Sequence, residues 1–234
     1  MGTGYAELPN EVVSAANGVE YAYRDTGTTP ATIEQMGRDA IAFIAALGIG
    51  QADLLGFSIG SFVAQQIALQ RPALVRRLVL ASSAPQGAAG MHGWAPEVIG
   101  AIGTPKTSPS AYLGVFFTSS APSRQAGQEA LQRMYARTQD RDQATTWATR
   151  EAQYDAVCTW GVPDHGLLQR LGGVEMPVFV AIGDSDPMIL PRYSYLLAGL
   201  IPDARLKIYP DAAHGFLFQH HAEFAADVEA FLTA

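Results

Sequence analysis

Apolar positions along this chain follow two periods that trade places several times. Residues 18–25 alternate apolar and polar after Asn17-Gly18, and Glu11-Val12-Val13 precedes that turn, which predicts a short antiparallel hairpin. Residues 32–47 then carry Ile33, Met36, Ile41, Ile44 and Leu47 on or near one helical face. Thr32 or Thr29 offers the N-cap and Gly48 or Gly50 the stop. The apolar run 52–57 suits a buried parallel strand. Residues 60–70 return to helical spacing, with Phe62, Val63, Ile67 and Leu69 available to pack and Arg71-Pro72 as the break. Residues 75–81 are the next strand. Strand, helix and strand at this spacing predict a right-handed βαβ unit.

The rhythm changes over residues 85–171. Pro96, Pro105, Pro109 and Pro122 punctuate helical pieces rich in aromatics, among them Tyr112, Phe116, Phe117, Tyr135, Trp147, Tyr154 and Trp160. This stretch predicts an all-helical insertion, a lid, between core segments 1–84 and 172–234. Afterwards the α/β alternation resumes with a strand at 178–183, a helix over 193–200, a strand at 205–209 and a last helix over 222–232. The fold class predicted is α/β, a mostly parallel sheet flanked by helices and interrupted by the lid. No internal repeat appears.

Totals narrow the function classes. The 234 residues are 48% hydrophobic and 16% charged, enough for a sizeable core without metal or disulfide support. A net charge of −7 disfavours a nucleic-acid partner, which needs a basic footprint. The single cysteine, Cys158, has no internal partner and sits in no metal-binding pattern; it reads as a small core hydrophobe in a reducing compartment. No basic-then-apolar leader is visible at residues 1–13, and no window approaches the roughly 18 apolar residues of a membrane helix. The expected setting is cytoplasmic, with no metal and no cofactor.

The chemistry centres on Gly56-Phe57-Ser58-Ile59-Gly60, which lies between a predicted strand and a predicted helix. Gly-x-Ser-x-Gly in that setting is a nucleophile elbow: a strained turn lifts the hydroxyl to the sheet's top edge at a helix N-terminus. Glycines on both flanks are expected because neighbouring backbone leaves no room for side chains. The Ile59 N–H is placed to stabilise an oxyanion. Serine needs a base, and His92, His165, His214, His220 and His221 compete. His214 follows the last strand, with Gly215 allowing a sharp turn; His220 and His221 belong to the start of the final helix, and His92 and His165 to the lid. An acid must orient the base, and Gly183-Asp184-Ser185-Asp186-Pro187 offers two that spacing alone does not separate. The other is expected to be a turn-former.

These residues, together with Arg77-Leu78-Val79-Leu80-Ala81-Ser82-Ser83, Pro191 and His214-Gly215, resemble the α/β-hydrolase superfamily, specifically its small lid-bearing esterase and cofactor-free haloperoxidase-like branch. The resemblance spans nearly everything from Thr32 onward. It implies Asp186 as the triad acid, Asp184 as a loop residue, and a catalytic set of Ser58, Asp186 and His214. Some members place the acid after the preceding strand, where Ser82-Ser83-Ala84-Pro85 has no carboxylate.

The chain departs from that pattern on its N-terminal side. Family members have two further strands, a helix and a His-Gly-type oxyanion loop between the hairpin and the helix before the elbow. Here Arg24-Asp25-Thr26-Gly27 runs almost directly into Thr28-Thr29-Pro30-Ala31, a shortening of roughly fifty residues by usual element lengths. Three readings stay open: a true deletion with a homodimer covering the exposed sheet edge, a degenerate inactive hydrolase, or a segment missing from the sequence. The resemblance implies hydrolysis of a small ester bearing an apolar or aromatic group. Perhydrolysis, thioester, lactone and C–C bond hydrolysis use the same triad, and a ligand-binding or interaction module with a vestigial triad is the alternative class.

Overall fold

Alternation of side-chain direction along the strands sorts their residues onto two helix-covered faces. The structure, a computed structural model, describes residues 11–14, 20–23, 32–91, 93–104, 108–136 and 145–234, with backbone only for 11–14 and 20–23. The expected turn at Asn17-Gly18, the crossing 24–31 and His92 lie outside the described residues. Strands β1 (Glu11–Ser14) and β2 (Glu20–Tyr23) pair antiparallel, as the alternation predicts.

Helix α1 (Ile33–Ala46) starts where Thr32 accepts a hydrogen bond from the Gln35 amide at 3.1 Å, and Gly48, at φ 71°, follows its end. Then come β3 (Ala52–Phe57), α2 (Ile59–Gln70) and β4 (Val75–Ala81). Residues 85–171 are helical, with no strand among those described: α3 (Pro96–Ile102), α4 (Pro109–Phe116), α5 (Ala121–Ala136), α6 (Trp147–Trp160) and α7 (His165–Gln169). The chain closes with β5 (Val178–Gly183), α8 (Pro191–Leu200), β6 (Ala204–Tyr209), the short α9 (Phe216–Gln219) and α10 (His221–Thr233).

The four strands β3-β4-β5-β6 are parallel throughout. Leu78, Leu80, Val178 and Val180 point to a core under α2 and α8. Val79, Ala81, Phe179 and Ala181 point to the opposite core, with Tyr209, Phe216, Phe224 and Phe231. A third cluster joins Phe62 and Ile182 to Met91, Val157 and Trp160 of the helical stretch. Trp160 is a structural residue: it stacks on Phe62 at 5.0 Å and its indole N–H donates to the Ala84 carbonyl.

Two expectations need correcting. Ala52–Phe57 is parallel but not buried: among the described residues it forms the sheet edge, and Leu55 is 51% exposed. Cys158 is not a core residue; it is a free thiol at intermediate exposure on α6, its pKa raised by burial and by Asp155. Among the described residues, no helix is long and apolar enough to cross a membrane.

Candidate active site

The turn between β3 and α2 holds Ser58 at φ 54° and ψ −125°, a region a non-glycine residue enters only when its surroundings force it. Three bonds supply that force. The Ser58 N–H donates to the Ala81 carbonyl at 3.0 Å, and the Ser61 N–H donates to the Ser58 carbonyl at 2.8 Å. The Ser61 hydroxyl donates to the same carbonyl at 2.5 Å and lies 2.7 Å from the Ser83 hydroxyl. Gln65, buried on α2, donates to Ser83 Oγ and to the Ala84 carbonyl. The floor of the elbow is thus a polar network that hydrophobic periodicity does not reveal.

The two flanking glycines turn out unequal. A Cβ on Gly56 would lie 2.4 Å from the Gly60 carbonyl oxygen, so that position excludes any side chain. A Cβ on Gly60 would meet nothing within 4 Å among the described residues, so steric exclusion does not explain it. Ile59 is the first residue of α2, where backbone N–H groups have no intrahelical acceptor and point outward.

Asp186 and His214 come from the loops after β5 and β6. His214 Nε2 is 3.0 Å from Ser58 Oγ, and His214 Nδ1 is 2.8 Å from Asp186 Oδ2. A carboxylate only accepts, so Nδ1–H donates to Asp186; the neutral ring then accepts the Ser58 hydroxyl proton at Nε2. Asp186 and His214 are each 1% exposed, while Ser58 is half-buried. The ring is fixed from both sides, by Phe57 at 5.0 Å and by Phe116 edge-on at 5.1 Å. Gly215 is explained by close approach rather than by a sharp turn. Its φ is −88°, but a Cβ there would lie 2.7 Å from the Phe116 carbonyl oxygen, to which its N–H donates at 2.8 Å.

The two aspartates divide their work differently from expectation. Asp186 makes the local turn bonds itself, Oδ1 accepting from the Met188 and Ile189 amides at 2.9 and 3.0 Å. Asp184, exposed, reaches across to accept from the Asp211 and Ala212 amides at 2.9 and 3.2 Å, tying the histidine loop to the β5 loop. Asp211, at φ 51°, accepts in turn from Ser120 and Thr118 at 2.6 Å each, which holds its carboxyl below the usual range. His165 lies on α7 and is exposed; His220 bonds the Pro210 carbonyl and His221 the Phe218 carbonyl, none of them near Ser58 in hydrogen-bond terms.

Above Ser58 the site opens into two lobes. One, a cavity of about 140 Å³, is lined by Met91, Trp94, Ile102, Tyr154, Val157 and Ile189. That is close to the volume at which an apolar cavity holds a benzene-sized group. The other is walled by Ala111, Tyr112, Val115 and Phe116 on one side of His214. Burial pushes the Tyr112 hydroxyl up to about 12, Tyr135 adding to the effect. Of the aromatics singled out in the sequence, Tyr112, Phe116 and Tyr154 face the site. Phe117 is buried in packing, and Trp147 and Tyr135 are exposed. Sequence reasoning missed Met91, Trp94, Arg150, Gln153 and Met188; the one available signal was the α6 face, on which Arg150, Gln153, Tyr154 and Val157 follow helical spacing. No His/Cys/Asp/Glu group that would hold a metal ion occurs among the described residues.

Comparisons with known proteins agree with this architecture. The sequence model of the alpha/beta hydrolase fold family matches residues 18–221. A solved alpha/beta hydrolase fold protein from Chitinophaga pinensis is 31% identical with a TM-score of 0.82; the match covers 98% of this chain and 99% of that one. Among curated proteins, polyketide synthase ThaQ of Burkholderia thailandensis is 32% identical over 79% of this chain, which spans only 9% of that protein's length. Pimeloyl-(acyl-carrier protein) methyl ester esterase of Salmonella enteritidis is 28% identical over 86% of this chain and 76% of its own.

Proposed function

From the premise that this chain belongs to the alpha/beta hydrolase fold family, we propose that it is a serine hydrolase cleaving a small carboxylic ester through an acyl-enzyme on Ser58. The observation that carries this reading is the continuous chain from Ser58 Oγ through His214 to buried Asp186, at 3.0 and 2.8 Å. It stands on a strained elbow beneath an apolar cavity. The similarity to a methyl ester esterase supports the reaction class.

The chemistry follows from the geometry. As Ser58 Oγ bonds the acyl carbon, its proton passes to His214 Nε2, and Asp186 stabilises the resulting imidazolium without taking a proton itself. The developing oxyanion takes the Ile59 N–H at the α2 N-terminus. The carbon–oxygen bond to the leaving alcohol then breaks, and His214 returns the proton to that oxygen. Water, deprotonated by the same ring, attacks the acyl-enzyme, releasing the acid and restoring Ser58. The helices at 85–171 act as the lid, giving the acyl or alcohol group an apolar surface. We place the enzyme in the cytoplasm, where its lone thiol stays reduced.

An assay with p-nitrophenyl acetate and butyrate tests the proposal, with Ser58→Ala as control. Ester turnover by the wild-type chain should fall to background in the variant. Equal rates in both would sink the hydrolase reading.

A further inference from the structure

We infer that the lobe beside Ile59 takes the acyl group and the lobe beside His214 takes the alcohol, so that the substrate is an ester of a compact apolar acid with a larger apolar alcohol. This rests on the esterase reading above. The two lobes meet at Ser58 and share Ile102 and Met188. They differ in which part of the reacting machinery each one touches. Ile59 lines the first lobe and not the second, whereas His214 lines the second and not the first.

Those two residues have different duties toward the reacting carbon. In the tetrahedral adduct that carbon holds Ser58 Oγ, the oxyanion, the leaving oxygen and the acyl chain. The oxyanion takes the Ile59 N–H. The leaving oxygen keeps the electron pair of the breaking carbon–oxygen bond and takes its proton from His214 Nε2, so it must lie within hydrogen-bond reach of that ring. Its substituent then extends into the lobe that His214 lines. The acyl chain, on the remaining bond, is left with the lobe on the Ile59 side.

The lobes also differ in size and in how firmly they are walled. The Ile59 side holds about 140 Å³ and the His214 side about 310 Å³. Met91, Val157 and Ile189 of the smaller lobe are buried in the cluster around Phe62 and Trp160, and the Trp94 indole N–H donates to the Met188 carbonyl at 2.7 Å. Close-packed walls of this kind admit a long chain only at the cost of repacking. The larger lobe is bounded by the short side chains of Ala101, Ala111 and Val115 and by Tyr112 stacked on Phe116 at 4.1 Å, an apolar surface for the alcohol.

The isomers octyl acetate and methyl nonanoate test the assignment, because they carry the same octyl chain on opposite sides of the ester. Followed by pH-stat titration and referred to methyl acetate, the wild type should favour octyl acetate by at least about tenfold in kcat/KM, the scale on which an apolar pocket discriminates by size. Ala111→Trp, which fills the alcohol lobe, should lower the octyl acetate value about tenfold more than the methyl nonanoate value. Val157→Ala, which enlarges the acyl lobe, should raise methyl nonanoate relative to octyl acetate. A variant that merely folds poorly lowers all the esters together and leaves these ratios alone, and the wild-type preference needs no variant. The proposal is overturned by a wild type that cleaves methyl nonanoate as well as octyl acetate, by one that turns over p-nitrophenyl acetate but neither isomer, or by ratios that neither substitution moves. A wild type that cleaves neither isomer, nor any p-nitrophenyl ester above the Ser58→Ala background, brings down the esterase reading itself.

Discussion

Strands β3 and β5 are both six-residue apolar runs that end at the candidate site, yet they live in different surroundings. Every residue of β5 is buried, because β4 and β6 pair with it on either side and helices cover both faces. In β3 only Gly56 is buried, and Leu55 is half exposed, because among the described residues only β4 pairs with it. The loops beyond them differ in the same way. After β5, Asp184 and Asp186 are cross-bonded to the β6 loop and to their own turn, so acid and base are held by many contacts. After β3, Ser58 depends on one backbone bond to β4 and on the polar floor beneath the elbow. The acid rides on an inner strand, while the base and the nucleophile follow the two outer strands β6 and β3; the base loop is cross-bonded to the acid loop, and the elbow compensates with side-chain hydrogen bonds where the sheet supplies a single one.

The largest expected effect lies on the central side. Asp186→Asn keeps an acceptor for the Met188 and Ile189 amides but removes the charge facing His214, so kcat on p-nitrophenyl butyrate should fall by about 10⁴-fold with little change in melting temperature. Next comes packing. Ile182→Ala on β5 should cost about 2–5 kcal/mol in urea denaturation. Leu55→Ala on β3 should stay within about 0.5 kcal/mol. Equal losses would mean that the edge is as covered as the centre.

The glycines sharpen the contrast within the elbow. Gly56→Ala should destabilise the chain by about 1–3 kcal/mol, since its new methyl would meet backbone that does not move aside cheaply. Gly60→Ala should be within about 0.5 kcal/mol of wild type in stability. Thermal melts of the two variants, side by side, decide whether the pattern's glycines share one cause.

How much of this was legible in the sequence depends on how local the cause is. Thr32 as one of two cap candidates and Ser58 on its turn are written in neighbouring residues, whereas spacing left Asp184 and Asp186 both open and only the family resemblance favoured Asp186. Leu55's exposure is not local: Ala52–Phe57 and Val178–Gly183 look equally apolar, and the exposed edge could be read only from the shortened N-terminal side, since among the described residues a neighbouring strand is what separates the two. The same holds for Asp184, whose partners lie 27 and 28 residues away, and for the Gly215 contact with Phe116 across the helical stretch. Trp94 reached the site from the loop before α3, where no period announces a residue, and Arg150 from α6, whose spacing gave one face but not what that face would meet. Cys158 misled for the converse reason: residue type suggested a core, and the helix turned it partly outward.

The smallest effect is acidic. Ser120 and then Thr118 lower the Asp211 carboxyl, so the group supports the folded state above the ordinary aspartate range, and that support is lost as pH falls through the lowered value. Asp211→Asn should therefore lose a little stability in the neutral region and converge with wild type at low pH, so that the acid limb of stability against pH flattens. A variant with an unchanged acid limb would remove Asp211 from the coupling between the histidine loop and the helices above it.

The central claim is that the hydroxyl on the sheet's edge is the activated nucleophile, and covalent trapping tests it most directly. A fluorophosphonate probe followed by peptide mass spectrometry should give one adduct, on Ser58, absent in Ser58→Ala and strongly slowed in His214→Ala. No adduct on the wild-type chain, or an adduct on another serine with Ser58 untouched, would contradict the account.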